Sequence, residues 1–409
     1  MPPVLARRDL RKLVRKLGVD CRPGEQKQAL ATIAALCGDG NPENLAAIAA
    51  AGAVHPLVQL LGPASAAGVQ QLAAGSLMFL GDKPENAAAI AEAGAIPPLV
   101  LLLAPGSHGQ VQSNAAGALW QLAMHAHYAS TIAGAGAIPP LVALLGPDST
   151  SGMHQNATGA LWQIALNAEN AAVTIAAAGA IPPLVALLGP ASPPNVKQFA
   201  AGALMVLCHH SDNEARITAA GAIPPLVQLL DPATPIPMQQ NAAGALVVLS
   251  RSAENAASIA AAGAIPLLVR LIGPGSSSLM HQHAAGTLMN LAADAVISLT
   301  IASSGAIASL VALLGSSTLA QVQHNAAGAL MGLATNADTA VVIVAAGAIP
   351  ELERLMQPES DDVPKPTAAR ALAALRGPVD DGAEDEVEEG DDDDEEDEAL
   401  EQGLGSLAV

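Results

Sequence analysis

Apolar and polar positions along this chain repeat as a long block rather than as a local alternation. Glycine in an Ala-Gly-Ala or Ser-Gly-Ala setting recurs at Gly52, Gly94, Gly136, Gly179, Gly221, Gly263, Gly305 and Gly347, at spacings of 42 residues with a single 43. A second series, Gly75, Gly117, Gly159, Gly202, Gly244, Gly286 and Gly328, runs in step with it. A period of about 40 to 47 residues built from helical segments is the signature of a stacked α-solenoid, in which each unit buries its apolar face on its neighbours.

Within one period the pattern predicts three helices. Asn170 to Ala178 reads as a short Ala-rich helix, and Gly179 suits the left-handed conformation that ends one. Pro182 and Pro183 then open a second helix to Leu188, because proline is tolerated in a first turn where its missing N–H has no partner. Gly189 and Pro190 close it, and a longer third helix begins near Asn195 and runs to about Cys208.

Positions on the third helix are counted here from its glycine as position 0. At 100° per residue, positions −6, −2, +2 and +5 (Val111, Ala115, Leu119 and Leu122 in one repeat) share a side and form the core face. Positions −4, 0, +3 and +4 fall opposite. Position +3 reads Met78, Trp120, Trp162, Met205, Val247, Met289 and Met331, and position −4 reads Gln71, Ser113, Gln155, Gln198, Gln240, Gln282 and His324. The expectation is an exposed apolar ladder beside a neutral hydrogen-bonding one, with the glycines leaving the floor between them open. Packing of the +3 side chains against the next repeat is the alternative.

Three helices per 42 residues, with Gly and Pro between the first two, resemble the armadillo repeat. The lines Val111 to Leu119 (VQSNAAGAL) and Met280 to Leu288 (MHQHAAGTL) resemble that family's third helix, and Ala137 to Val142 (AIPPLV) its second. The resemblance covers roughly residues 24 to 376 and implies an all-α, armadillo-type right-handed α-solenoid of about eight repeats. It also implies that the third helices line a concave groove. Where the family binds extended peptides, an asparagine at +4 hydrogen-bonds the ligand backbone; Asn290 matches it, with Gln121 and Gln163 in equivalent places. Phe79, Val206, Val248 and Gly332 depart from that pattern. Nuclear import adaptors of the family place Trp at position 0, where this chain has Gly throughout. The partner-binding candidates are therefore Met78, Trp120, Gln121, Trp162, Gln163, Met205, Met289, Asn290 and Met331.

Composition fits this reading. Hydrophobic residues make up 51% of the chain and aromatics only 1%, so Ala, Leu, Val and Ile must fill the core. Charge is uneven within the net −20: residues 1–27 hold eight of the seventeen Lys and Arg, and residues 377–409 hold sixteen acids and no base. We therefore expect a basic N-terminal capping helix within 1–27, a repeat array over 28–376 and an acidic, disordered tail over 377–409. The basic stripe between Arg7 and Leu17 also suits an acidic partner, the chain's own tail, a membrane surface or a targeting segment. A neutral-to-acidic body is a poor match for phosphate backbones, so no direct nucleic-acid binding is expected. Proline pairs interrupt the longest uncharged stretch, 171–189, which argues against a transmembrane segment.

Little in the sequence suggests chemistry. Cys21, Cys37 and Cys208 are sparse and odd in number, consistent with a reducing compartment and a cytoplasmic or nuclear location. His281 and His283 point to different sides of one helix and cannot chelate one ion together, so no metal site, cofactor or enzyme activity is expected. The expected function is a non-catalytic scaffold, a monomer that binds a protein or peptide segment. A nucleocytoplasmic transport adaptor with an autoinhibitory basic N-terminal segment is the rival.

Overall fold

The computed structural model describes residues 7–18, 21–358 and 360–376. The acidic tail expected over 377–409 lies outside the described residues. The described chain forms 26 helices and no strand, and it divides into two compact units that meet in sequence between Leu207 and Cys208.

The first unit opens with α1 (Arg7–Arg15) and α2 (Pro23–Gly38). Four triplets follow: α3 (Pro42–Ala50), α4 (Val54–Gln59) and α5 (Ala67–Leu80); α6 (Pro84–Glu92), α7 (Ile96–Leu102) and α8 (Gly109–Ala123); α9 (Ala126–Gly134), α10 (Ile138–Ala143) and α11 (Ser151–Asn167); α12 (Ala171–Ala177), α13 (Ile181–Ala186) and α14 (Pro194–Cys208). The second unit holds four more: α15 (Ser211–Ala219), α16 (Ile223–Gln228) and α17 (Ile236–Leu249); α18 (Ala253–Ala261), α19 (Ala264–Leu271) and α20 (Ser278–Leu291); α21 (Ala295–Ser303), α22 (Ala306–Leu313) and α23 (Ala320–Leu333); α24 (Ala337–Ala345), α25 (Ala348–Leu355) and α26 (Lys365–Arg376). In each unit successive third helices pack side by side, as α5, α8 and α11 do in the first and α17, α20, α23 and α26 in the second.

The punctuation is set locally. All eight glycines that end first helices have φ between 77° and 86°. At Gly179 the turn closes with two reversed bonds, Ala180 N–H to Ile175 C=O (3.3 Å) and Gly179 N–H to Ala176 C=O (3.0 Å), the bonding of a Schellman motif. A side chain there would be strained by conformation alone, since nothing lies within 4 Å. The predicted core face is buried throughout: Val111, Ala115, Leu119 and Leu122 are at most 1% exposed.

The N-terminal helix is more than an added cap. Gln26 Nε2 donates to the carbonyls of Leu17 (2.9 Å) and Gly18 (3.2 Å), as Gln112 Nε2 does to Leu103 (3.1 Å) and Ala104 (3.0 Å) and Gln323 Nε2 to Leu314 (3.4 Å) and Gly315 (2.8 Å). In the full triplets this bond ties the start of the third helix to the end of the second. α1 and α2 are therefore the second and third helices of a shortened first repeat, and the expected boundary between residues 27 and 28 falls inside α2. Leu10, Val14 and Leu17 are buried, while Arg8, Arg11, Lys12, Arg15 and Lys16 face solvent.

Candidate functional site

The third-helix face is less open than the single-helix geometry suggests. Met78 Sδ stands 2.3 Å from where a Cβ on Gly117 would be, the Trp120 ring 2.7 Å from that point on Gly159, Val247 Cγ2 2.9 Å from it on Gly286, and Met289 Sδ 2.5 Å from it on Gly328. In each case the +3 side chain of one repeat rests in the gap left by the position-0 glycine of the next. The glycines thus form filled sockets, which corrects the expectation of an open floor. Trp162 (7% exposed) and Met205 (1%) are buried, as is Gln163, so three of the nine expected contact residues present almost no surface. Met78, Trp120, Gln121, Met289, Asn290 and Met331 are half-buried.

A second contact crosses the same boundary. Asn114 Nδ2 donates to the Gln71 carbonyl (2.8 Å), Asn156 Nδ2 to that of Ser113 (2.8 Å) and Asn325 Nδ2 to that of Gln282 (3.0 Å). A position −3 amide therefore grips the preceding third helix beside each socket. These asparagines recur at the repeat period and could have been read as a series, but their partners lie 43 residues away, beyond what one helix reveals. Two repeats depart from asparagine at −3. His283 is buried there, bonded to the Gln240 backbone, with its Nδ1 unpartnered. Burial, reinforced by the neighbouring His209, lowers its pKa to about 4.

Phe199 is the other departure. Its ring meets Trp120 edge-on, with centroids 4.9 Å apart at 61°, and lies 5.9 Å from Trp162 at 31°. Trp120 therefore spans Gly159 and reaches the next third helix. Three of the chain's five Phe, Trp and Tyr residues converge on α8, α11 and α14. The +4 amides are also engaged. Asn290 Nδ2 donates to the Ser250 hydroxyl (2.9 Å) and the Val247 carbonyl (3.3 Å), and Gln163 Oε1 accepts from Asn167 (3.2 Å). Gln121 Oε1 is buried without a partner.

The armadillo/beta-catenin-like repeat family matches residues 83–124, 125–166 and 210–251. These segments begin at the starts of first helices and end at the ends of third helices. The chain belongs to the armadillo repeat family. A crystal structure of an engineered protein from a structural genomics consortium is similar to it at 31% identity, with a TM-score of 0.75 over 92% of each chain. No curated protein matches the chain.

An armadillo array of this kind is a protein-interaction scaffold, and its surfaces differ in character. Away from the third helices, an open cavity of about 780 Å³ between α3 and α6 is floored by Ala46, Ala50, Ala89 and Ala93, with His55 and Lys83 among its lining residues. Cys37 and Cys208 are buried, and desolvation pushes the Cys37 thiol up to about 12 and Cys208 further, which makes both inert packing residues. No single helix among the described residues is long and apolar enough to cross a membrane.

Proposed function

We propose that the chain is a non-catalytic scaffold that holds a segment of a protein partner on the third-helix face of its first unit, anchored at Trp120. The observation that carries this reading is the Trp120 ring itself. It is half-buried, seated on Gly159 and braced by Phe199, so little rotamer freedom remains to be lost when a partner covers it. Rigid, partly exposed aromatic rings are the usual energetic anchors of interfaces. Met78, Phe79 and Gln121 flank it on the same helix faces, and Met124 is exposed one turn further on. Met289, Asn290 and Met331 offer a second, less aromatic surface on the other unit. The partner is a protein or peptide rather than nucleic acid, and the chain acts as a monomer in the cytoplasm or nucleus.

The transport-adaptor reading meets a steric obstacle. A tryptophan at position 0 would need the space that Met78, Trp120, Val247 and Met289 already fill. The test is affinity capture with the wild-type chain and Trp120→Ala side by side, followed by titration of purified captured proteins against both. A partner whose binding weakens in the variant supports the reading. Equal affinities for both chains would remove Trp120 as the anchor.

A further inference from the structure

The outward line of the first helices changes character near the C-terminus. At equivalent positions α6 carries Ala88 and Ala89, α15 Ala215 and Arg216, and α18 Ala257 and Ser258, whereas α21 carries Leu299 and Thr300 and α24 carries Val341 and Val342. Val296 is 75% exposed and Val341 70%, and Leu299, Val342 and Val344 are exposed with them. Scattered exposed aliphatics are ordinary, but five on two successive helices of one line form a patch that favours a cover.

The chain itself supplies a candidate cover. Helix α26 packs on α24 and α25, and its last residue, Arg376, pairs with Glu353, so the described chain ends one helix away from the patch. Beyond the acidic run, the sequence ends ALEQGLGSLAV over 399–409, with a single acid, Glu401. Leu400, Leu404 and Leu407 stand at i, i+4 and i+7, the spacing of one apolar helical stripe. The 377–398 stretch can span up to about 75 Å when extended, several times the roughly 13 Å length of α24. Helix α26 carries Lys365, Arg370 and Arg376 and no acid, and Arg370 is exposed with no carboxylate partner among the described residues. A cationic surface thus lies between the patch and the start of the acidic run.

We propose that residues 399–409 dock their leucine stripe on the Val296, Leu299, Val341 and Val342 face, with the acidic run crossing α26. A tethered segment competes at an effective concentration on the order of millimolar, which favours it over a second copy at ordinary protein concentrations. The acids Asp294 and Asp338 at the starts of α21 and α24, together with the acidic run, disfavour an anionic membrane surface. This inference goes beyond the Trp120 reading, and neither depends on the other.

The experiment compares the full chain with its Leu400→Asp/Leu404→Asp/Leu407→Asp variant, whose changes lie outside the repeats. Hydrogen exchange across 337–346 should accelerate in the variant by roughly tenfold, the ratio given by a docked fraction of about 90%, and binding of an apolar-surface dye should rise. Unchanged exchange and unchanged dye binding would overturn the proposal. So would protection of α24 that depends on protein concentration and tracks dimer formation, since the occupant would then be a second copy.

Discussion

Trp120 and Gly159 form a socket contact across 39 residues of sequence: the indole Cε2 and Cδ2 atoms lie 2.7 and 2.8 Å from the point a Cβ on Gly159 would occupy. An Ala there is opposed by a rigid ring, whereas at Gly328 it is opposed by the flexible Met289 thioether. We expect Gly159→Ala to destabilise the array by about 1–3 kcal/mol, as overpacking does, and Gly328→Ala by less. Gly68, in the first turn of α5 with nothing within 4 Å, is the control. Gly68→Ala should be neutral or stabilise by up to about 1 kcal/mol through helix propensity. Chemical denaturation of the three variants checks the order, and equal effects at Gly68 and Gly159 would dissolve the socket.

The −3 amides make a separable contribution. Removing Asn156 leaves the Ser113 carbonyl and hydroxyl without its amide, contacts of 2.8 and 3.3 Å. Loss of such a bond costs about 1 kcal/mol, so Asn156→Ala should lower stability by that amount. Because repeats couple only to their neighbours, local hydrogen exchange should quicken in α8 and α11 before it does in α2.

Most of the fold was legible because its determinants are local. Gly179 ends a helix by its own φ, Pro182 and Pro183 start one by theirs, and Leu119 and Leu122 turn inward by the 100° step. The third-helix face was misread because its determinants lie 42 residues away. Gly159 looks like open floor until Trp120 is placed on it, and Met205 looks like a rung of a ladder although only 1% of its surface is exposed. The pairing of a large +3 residue with a glycine one repeat later was present in the sequence, as was the recurrence of Asn114, Asn156 and Asn325. Phe199 carried a signal too, since it breaks that asparagine series next to both tryptophans. The shortened first repeat could likewise have been found from Gln26, which follows Leu17 by the nine residues that separate Gln112 from Leu103.

His283 gives the second unit a pH-dependent component of stability. Its folded pKa of about 4 lies below the ordinary histidine value of 6.5, so between these values the unfolded chain binds more protons and stability rises with pH. The contribution is complete above pH 6.5 and is lost as pH falls toward 4, an upper bound of about 3 kcal/mol at 1.36 kcal/mol per unit. His283→Asn installs the residue that three other repeats use at this position. It should remove that part of the slope while leaving stability at neutral pH nearly unchanged. Denaturation of both chains at pH 7 and pH 4.5 isolates the term, because carboxylate titration is common to the two and cancels in the difference.

The two tryptophans should separate into an anchor and a packing residue, although both occupy position +3. Trp162 is 7% exposed and its Nε1 is buried without a partner, so Trp162→Ala opens a cavity and should cost about 3–5 kcal/mol of stability. Trp120 is half-buried and presents the rest of its ring on the third-helix face. Trp120→Ala should weaken a captured partner by roughly 2 kcal/mol if the ring is a hot spot, near a thirtyfold rise in Kd, with a smaller loss of stability from the missing Phe199 contact. Trp120→Leu keeps apolar bulk over Gly159 but removes the flat ring, and should restore stability more than affinity. Titration calorimetry and denaturation on the same preparations give both quantities. If Trp120→Ala loses stability as heavily as Trp162→Ala while the folded fraction binds the partner at wild-type affinity, Trp120 is a core residue and the contact surface lies elsewhere on the array.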